Sequence, residues 1–402
     1  MASIAPTVNR PATDSSSQGK SSSAPVAVIP FTRASRKKSR LIGQYGPTVL
    51  NAAVQALAPI QIPAAGYLRR IILTVKGVTA ANAAAVAFNA DGPFNVLQQI
   101  SLLSPNGDTI ISVIDGFTLY ALIKYGAFST GRYDPLGDPT YSVTTGVGGG
   151  LGGSFTFTMR IPVELDARDA FCALQNMAAN QSFLLQLSLN STTALYTTAP
   201  TTAPSVTITA VMEYWSAPAA SNGDNAPQAT SPIGLGSVSL IQTQTPPVVA
   251  ASQQNIQLLN VGNTIRFALF ILRTAAGVRT EADWPTVTNF YVNGDPWYYK
   301  QKDQWRSQVA QEYDLDAGVA ATPTLNSLDA GVYILTDFMN DGASGDGNVD
   351  AAANRDLLLV TSSGTAFNVE AVNWGAAAAN LFVVENVIRP SSPQALYAPK
   401  WI

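Results

Sequence analysis

The stretch from residue 92 to residue 119 constrains the fold more than any other, because it predicts a complete strand, turn, strand and helix unit. Two β-rich runs, Leu97–Leu103 and Thr109–Ile114, flank the turn sequence Pro105-Asn106-Gly107-Asp108. Proline fixes φ in such a turn, and asparagine and glycine tolerate positive φ. The apolar run Phe117–Lys124 then predicts a short helix. No side chain here suits catalysis, so the unit indicates architecture rather than chemistry.

Short β-rich runs continue through the rest of the chain. The clearest alternation lies between Ser154 and Ile161, where apolar residues alternate with polar ones as in a strand with one buried face. Further strands are predicted at Leu68–Lys76, Ala83–Asn89, Phe183–Leu189, Val206–Trp215, Val238–Thr243, Ile265–Arg273, Val287–Val292, Gly331–Thr336, Leu357–Thr361, Ala366–Val372 and Leu381–Ile388. A second helix is predicted over Trp297–Tyr313, with Trp305 and Val309 at i, i+4 spacing toward the sheet.

A change in composition divides the chain into two halves. Small, polar, Pro and Gly residues dominate residues 216–236, which therefore cannot bury a core. We expect a first β unit at residues 41–220, a linker at 221–236, a second β unit at 237–390 and a tail at 391–402. Each unit carries several short strands and one helix, as an eight-stranded jelly roll does. The predicted fold is all-β, with two tandem eight-stranded jelly rolls and short embedded helices.

Charge is scarce and unevenly distributed. Only 12% of the 402 residues are charged, and the cores of protein interfaces are depleted in charge, so we expect an obligate oligomer. Residues 1–40 carry seven basic side chains and one acidic side chain, a net charge of +6, whereas the whole chain carries −3. Serine is abundant in residues 11–25, which hold almost no large apolar side chain. Residues 1–40 are therefore predicted to be a flexible basic arm.

The residues that enzymes and metal sites favour are scarce. The chain has no histidine, which removes the commonest general base and metal ligand. Its one cysteine, Cys172, forms no intramolecular disulfide and reads as a buried apolar side chain. No catalytic, cofactor or metal residue is assigned, and the chain is not expected to be an enzyme. With no apolar run of about 18 residues and no signal peptide, we expect a soluble protein made inside the cell.

Two loops resemble known ligand-binding motifs in part, but each lacks a feature that the motif requires. Gly148–Gly153 matches a G-x-G-x-x-G pattern, but a predicted strand follows it where phosphate binding needs a helix. Asp341, Asp346, Asn348 and Asp350 offer oxygen ligands, but their spacing is not that of a calcium loop. Both loops are interpreted as solvated connections.

The turn unit at residues 92–119, with the β-rich remainder, resembles the start of the double jelly-roll major capsid protein of tectiviruses, phages with an internal membrane. The resemblance covers most of residues 41–402 in layout and residues 66–125 in recognisable motif. Leu328-Asp329-Ala330-Gly331-Val332-Tyr333 adds weaker support, because the family has a similar Gly-Val-Tyr strand opening in its second half.

That resemblance implies a virion capsid protein, assembled in the host cytoplasm. It would form homotrimers with a pseudo-hexagonal outline, which join neighbouring capsomers in an icosahedral shell around a lipid membrane. Vertex or minor capsid proteins would be further partners, and sequence-specific nucleic-acid binding is not expected. In this family the N-terminal segment of the major protein lies on the inner face, next to the membrane.

Five basic residues of the arm are the candidate contact residues: Arg33, Arg36, Lys37, Lys38 and Arg40. They would contact an anionic membrane, the acidic body of a neighbouring subunit or nucleic-acid phosphates, or would be solvated without a partner. The resemblance favours the membrane, where each basic residue contributes about 1 kcal/mol.

Two other functions remain open from the sequence. A carbohydrate-binding or glycan-hydrolysing β-sandwich would use an aromatic platform beside carboxylates, and the chain offers Trp284, Trp297, Tyr298, Tyr299 and Trp305 beside Asp283 and Asp295. The same aromatic residues would equally serve packing and trimer contacts. A receptor-binding spike is the other alternative.

Overall fold

The computed structural model describes residues 29–80, 82, 85–126, 134–145, 151–167, 169–218, 232, 235–313, 328–335, 359–371, 374–375 and 379–389. The first half holds, in chain order, α1 (Phe31–Ala34), β1 (Lys37–Val49), β2 (Gln55–Ala56), β3 (Ile60–Ile62), β4 (Gly66–Val78), β5 (Ala87–Phe88), β6 (Leu97–Leu103), β7 (Thr109–Ile114), α2 (Gly116–Tyr125), β8 (Ser142–Val143), β9 (Phe155–Pro162), β10 (Leu174–Asn176), β11 (Phe183–Leu189), α3 (Thr192–Leu195), β12 (Tyr196–Thr198) and β13 (Ser205–Trp215).

The second half begins after residue 237 and is again mostly strands. In chain order it holds β14 (Val238–Gln244), β15 (Pro247–Val248), β16 (Gln254–Leu258), β17 (Thr264–Thr274), β18 (Val287–Val292), β19 (Asp295–Gln301), α4 (Lys302–Tyr313), β20 (Val332–Leu335), β21 (Leu359–Val360), β22 (Phe367–Ala371) and β23 (Ala379–Arg389).

Each half builds two facing layers of antiparallel strands. In the first half one layer runs β1-β13-β4-β9-β8, and the other runs β2-β11-β6-β7. In the second half one layer runs β16-β22-β18-β19, and the layer that faces it runs β14-β23-β17-β20. Apolar side chains alternate toward the space between layers, as Phe155, Phe157 and Met159 do in β9. This arrangement confirms the predicted pair of jelly rolls.

One sheet continues from the first roll into the second. Strand β7 pairs in parallel with β14 at Ile111 and Ile241, so the layers β2-β11-β6-β7 and β14-β23-β17-β20 belong to one 11-stranded sheet. Apolar residues of both halves accordingly share one buried cluster. The two rolls are therefore joined by backbone pairing as well as by side-chain packing.

Helix α2 forms where the turn unit predicted it. The Asp115 carboxylate caps its first turn by accepting a hydrogen bond from the Thr118 amide at 2.7 Å. The next residue, Gly116, has to be a glycine, because a Cβ at this position would lie 2.0 Å from the Phe94 carbonyl oxygen. All ten residues of α2 are buried, and the helix lies between the two rolls.

The helix predicted over Trp297–Tyr313 is wrong in its first part. Residues Asp295–Gln301 form strand β19, which pairs with β18 through a hairpin at Asn293 and Gly294, both at positive φ. The aromatic run in this segment favours an extended backbone over a helix. Helix α4 begins only at Lys302, and its Trp305 and Val309 are buried against the sheet as predicted.

The flexible arm predicted to end at residue 40 is too long. Residues 37–40 already pair with β13, from Lys37 opposite Trp215 to Arg40 opposite Met212, and α1 lies directly before them. The prediction failed because the polar sequence of β1 lacks the alternation that marks half-buried strands. Residues 1–28 of the arm, most of the 221–236 linker and the 391–402 tail lie outside the described residues.

Candidate functional site

The five predicted contact residues lie on one exposed edge of the first roll. Arg33 belongs to α1, Arg36 follows it, and Lys37, Lys38 and Arg40 open strand β1; all five side chains are exposed. In the described part of the chain, the β1-β13-β4-β9-β8 layer ends at β1. From Lys37 to Leu41 the strand is exposed on both faces. The basic edge, Arg33–Arg40, is thus an accessible and strongly positive surface.

An aromatic anchor holds the basic edge against the body. The Phe31 side chain is 3% exposed and packs edge-on against Tyr67 and Trp215, at ring-centroid distances of 5.0 and 6.1 Å. The Arg36 carbonyl accepts from the Ser216 amide at 2.9 Å, and the Arg36 amide donates to the Ser216 hydroxyl at 3.0 Å. These contacts hold Phe31 and Arg36 against the first roll.

A buried carboxylate, that of Glu164, contacts Trp215 of the aromatic anchor. Glu164 accepts from Arg69 Nε at 2.8 Å and from the indole N–H of Trp215. Burial raises the pKa of Glu164, and the neighbouring Arg69 opposes that shift without cancelling it. The Lys37 ammonium lies 5.0 Å from the Trp215 ring centroid. Trp215 therefore connects the basic edge to the core.

A buried cluster of charged side chains lies between the two rolls. Asp91, from the first half, contacts both Arg273 Nη1 and Arg279 Nε of the second half at 2.5 Å. Burial alone would raise the pKa of Asp91, but Arg279 and Arg273 more than offset it and hold that pKa below its ordinary value. Arg279 also stacks on Phe117 of α2, 4.2 Å from the ring centroid.

A second ion pair joins the other end of α2 to the second roll. Lys124 Nζ lies 2.9 Å from Asp329 Oδ1, and the Tyr125 hydroxyl donates to the same oxygen at 2.5 Å. Burial raises the pKa of Tyr125 far above its usual value, so the phenol stays protonated as a donor. We call these two clusters the inter-roll seam: Asp91, Lys124, Arg273, Arg279 and Asp329.

The inter-roll seam could not be predicted from the sequence, because its partners are far apart in the chain. Arg279 and Asp91 are separated by 188 residues, and Lys124 and Asp329 by 205. A weak signal exists in the charged residues that follow apolar runs, since Lys124 is the last residue but one of a buried helix and Arg273 is the last residue but one of a largely buried strand. Unpaired charges are expensive to bury, so such residues indicate partners elsewhere.

The aromatic platform considered from the sequence is not assembled as one surface. Trp284 and Trp305 lie in the core of the second roll, where Trp284 stacks on Tyr333 at 4.2 Å between ring centroids. Trp297 and Tyr299 alone of the proposed five are exposed, at 48% and 67%. The aromatic residues therefore divide into a core cluster and an exposed pair on β19.

The other candidate ligand sites gain no support. Strand β9, and not a helix, follows the Gly148–Gly153 loop, of which residues 151–153 are described. Asp341, Asp346, Asn348 and Asp350 lie outside the described residues. Cys172 is buried, and the described residues hold no cluster of three or more metal-ligating side chains. No helix in the described segments is long and apolar enough to cross a membrane.

Comparison with known proteins gave matches at the level of structure alone. The sequence matches no model of a protein family, and it matches no curated protein.

Solved structures of viral capsid proteins are similar over most of the chain. The major capsid protein of STIV superposes with a TM-score of 0.57 and 15% identity, covering 89% of this chain and 98% of that one. A chain from the atomic structure of Sulfolobus turreted icosahedral virus gives 0.56 and 14%, covering 89% and 92%. A chain of the PBCV-1 virus capsid gives 0.52 and 11%, covering 88% and 94%.

These likenesses agree with the layers and strand pairing described above. The similar structures are double jelly-roll major capsid proteins, and their coverage includes both halves of this chain. The chain therefore has the double jelly-roll fold.

Proposed function

We propose that this protein is the major capsid protein of a virus, and that three copies form a capsomer with a pseudo-hexagonal outline. The observation that carries the proposal is the likeness to STIV and PBCV-1 capsid structures over both rolls, at TM-scores of 0.57 and 0.52. Capsomers of this kind would tile an icosahedral shell, with vertex or minor capsid proteins as further partners. A mechanical role needs no reactive site.

The inter-roll seam and the shared sheet support this role. A shell subunit has to keep one shape while its neighbours press on it from several sides. Buried ion pairs with good geometry favour one arrangement of the two rolls over others, and the β7–β14 pairing limits their rotation. The low content of charge would let broad flanks of the subunit be buried against its copies.

The mass of the purified protein in solution tests the trimer. We expect light scattering coupled to size exclusion to give three times the mass of the chain, independent of loading concentration over a tenfold range. A trimer is stable only if its interfaces are large and poor in charge. A monomer at every concentration would contradict the capsomer proposal.

The basic edge is proposed to contact the lipid membrane that such a shell would enclose. Its five cations are exposed and lie along strand β1, at the end of its layer, and in the segment just before it. At about 1 kcal/mol for each basic residue near an anionic surface, many copies acting together would hold a shell to lipid. The competing partner is the acidic body of a neighbouring subunit.

We expect Arg36→Ala/Lys38→Ala to lower the partition coefficient onto vesicles containing phosphatidylserine, measured by co-flotation at low salt, by about thirtyfold, because two interactions of about 1 kcal/mol are removed. The matched control is Lys76→Ala/Arg389→Ala, which removes two exposed cations outside the basic edge. Equal flotation of both double variants would contradict the lipid contact. Loss of trimers or shells with unchanged flotation would instead identify a neighbouring subunit as the partner.

A further inference from the structure

The two rolls repeat one arrangement of strands. In each roll the first strand pairs antiparallel with the last, β1 with β13 and β14 with β23. The last strand pairs next with β4 in the first roll and with β17 in the second, and an extra arginine shifts the register of each pair, Arg69 in β4 and Arg266 in β17. A hairpin in each roll also leads into a helix, β6-β7-α2 and β18-β19-α4. Strands β1 and β14 are therefore counterparts, and so are β7 and β19.

The junction between the rolls uses one strand of each kind. Strand β7 pairs in parallel with β14 at Ile111 and Ile241, and these two side chains are 0% and 1% exposed. The two strands are not consecutive in the chain, so a direct connection between them is not what holds them together. Their counterparts, β19 and β1, each end a layer in the part of the chain that the structure describes. One copy therefore carries both halves of a second junction, and they lie on different rolls.

The strand register locates this second junction on β1. Ile241 lies opposite Asn386, which also pairs with the residue after the extra arginine of β17. Ser39 lies opposite Glu213, which also pairs with the residue after the extra arginine of β4. Ser39 is therefore the counterpart of Ile241. It is exposed, in the segment of β1 that is exposed on both faces.

The position on β19 follows from the spacing between strand and helix. In each roll the helix begins seven residues after the first residue of the preceding strand, from Thr109 to Gly116 and from Asp295 to Lys302. Counted from the same start, Trp297 is the counterpart of Ile111. Trp297 is 48% exposed, whereas Ile111 is buried. The same place in the fold is thus covered in the first roll and uncovered in the second.

The two uncovered edges have complementary chemistry. Lys38 and Arg40 flank Ser39 on β1, and both side chains are exposed. On β19 the indole of Trp297 offers a π face, which attracts such cations, and the carboxylate of Asp295 is exposed beside it. Tryptophan and arginine are also enriched in interfaces between proteins. Both halves of the contact belong to this chain, so the partner that they fit is a second copy.

We infer that β19 of one copy lies beside β1 of the next, with Trp297 against Ser39 and the two cations that flank it. We call this the edge contact. It rests on the proposed function, because three edge contacts would alternate with the three junctions inside the chains and close a ring of six rolls. Such a contact joins two different surfaces, and a rotation that closes gives a ring. Arg33 and Arg36 precede β1 and stay available to a membrane.

Cross-linking of cysteine variants of the whole chain tests the edge contact. In Ser39→Cys/Trp297→Cys, a short bismaleimide should join β1 of one copy to β19 of the next, so we expect covalent species of two and three chains on a denaturing gel. Lys76→Cys/Trp297→Cys is the matched control, because Lys76 is exposed on β4, two strands away from β1. The control should give single chains. The parent, whose Cys172 is buried, provides the blank.

Each single variant should also remain a single chain on the gel, because the two surfaces of the edge contact differ. Cross-links in Ser39→Cys alone or Trp297→Cys alone would overturn the edge contact, since like surfaces would then meet. A parent trimer in which Ser39→Cys/Trp297→Cys cross-links no more than the control would overturn it as well, and the capsomer proposal would stand. A parent that is a monomer in solution would overturn both.

A pair of charge variants tests which surface Trp297 meets. Trp297→Lys and Trp297→Glu both lose the indole, but only the lysine would repel Lys38 and Arg40 of the next copy. At low salt we expect Trp297→Lys trimers to dissociate at a protein concentration at least about tenfold higher than Trp297→Glu trimers. High salt should reduce the difference, because exposed charges are screened. Equal dissociation of the two variants, or weaker trimers in Trp297→Glu, would contradict a contact with the cations of β1.

Discussion

Arg279→Met is expected to lower the free energy of unfolding by about 3–5 kcal/mol, because it removes one partner of a buried ion pair. The Asp91 carboxylate would keep Arg273 but lose the Arg279 guanidinium. The guanidinium also donates to the carbonyls of Ala330 and Ala90, the latter at 2.8 Å. Those carbonyls would lose this donor, and an unpaired buried acceptor costs about 1–3 kcal/mol.

Urea denaturation followed by tryptophan fluorescence measures this loss. Lys76→Met is the matched control, because Lys76 is an exposed cation on β4, and its effect should be below about 0.5 kcal/mol. If Arg279→Met does not fold, Arg279→Lys keeps the charge and loses the planar fork, so an intermediate loss is expected. A change of less than about 1 kcal/mol in Arg279→Met would show that the inter-roll seam contributes little.

Glu385→Gln is expected to stabilise the protein by about 3 kcal/mol at pH 8 and by little at pH 4. Glu385 lies in β23 and is fully buried, and burial raises its pKa from 4.5 to about 7, with a hydrogen bond from Asn260 opposing the shift. Its second carboxylate oxygen has no hydrogen-bond donor in the described structure, and the same holds for the side-chain oxygen of Gln242, the residue opposite.

The direction of the pH dependence follows from whether the folded or the unfolded state holds the Glu385 proton. Between pH 4.5 and about 7 the unfolded chain releases the Glu385 proton while the folded protein keeps it. The free energy of unfolding therefore falls as pH rises through that window and remains lowered above it. A shift of one pKa unit corresponds to 1.36 kcal/mol. The amide introduced by Glu385→Gln does not ionise, and it supplies N–H donors beside Gln242.

Thermal unfolding from pH 4 to pH 8 measures the difference between the parent and Glu385→Gln. The difference should open between about pH 5 and pH 7 and then stay constant. Asp108→Asn, at an exposed turn, is the control, and its difference from the parent should stay small across the range. A Glu385→Gln variant that is less stable than the parent at pH 8 would contradict the assignment of a buried, protonated carboxyl group.

Local signals in the sequence predicted most of the strands. Leu97–Leu103, Thr109–Ile114 and Phe183–Leu189 have the predicted bounds, because alternation and turn residues both mark them. The apolar run Phe117–Lys124 predicted the helix that the structure places at Gly116–Tyr125. These features depend on neighbours within a few residues, and the sequence shows those neighbours directly.

Features that depend on distant partners could not be predicted in this way. Strand β1 is polar and exposed, and β13 and the Phe31 anchor hold it in place. The aromatic run of β19 suits a strand once the Asn293-Gly294 hairpin brings β18 beside it, and it suited a helix when taken alone. The basic residues were identified from the sequence, but their position on an ordered sheet edge was not.

The parallel pairing of β7 with β14 has a consequence for how force passes through the molecule. The bridge between Ile111 and Ile241 is the one point at which β7 and β14 are paired in the described residues, so a load on one flank reaches the other roll through that bridge together with the buried cluster and ion pairs that both halves share. Stretching a single molecule from the two ends of that sheet should then unfold both rolls in one step, without an earlier step from separation of the halves.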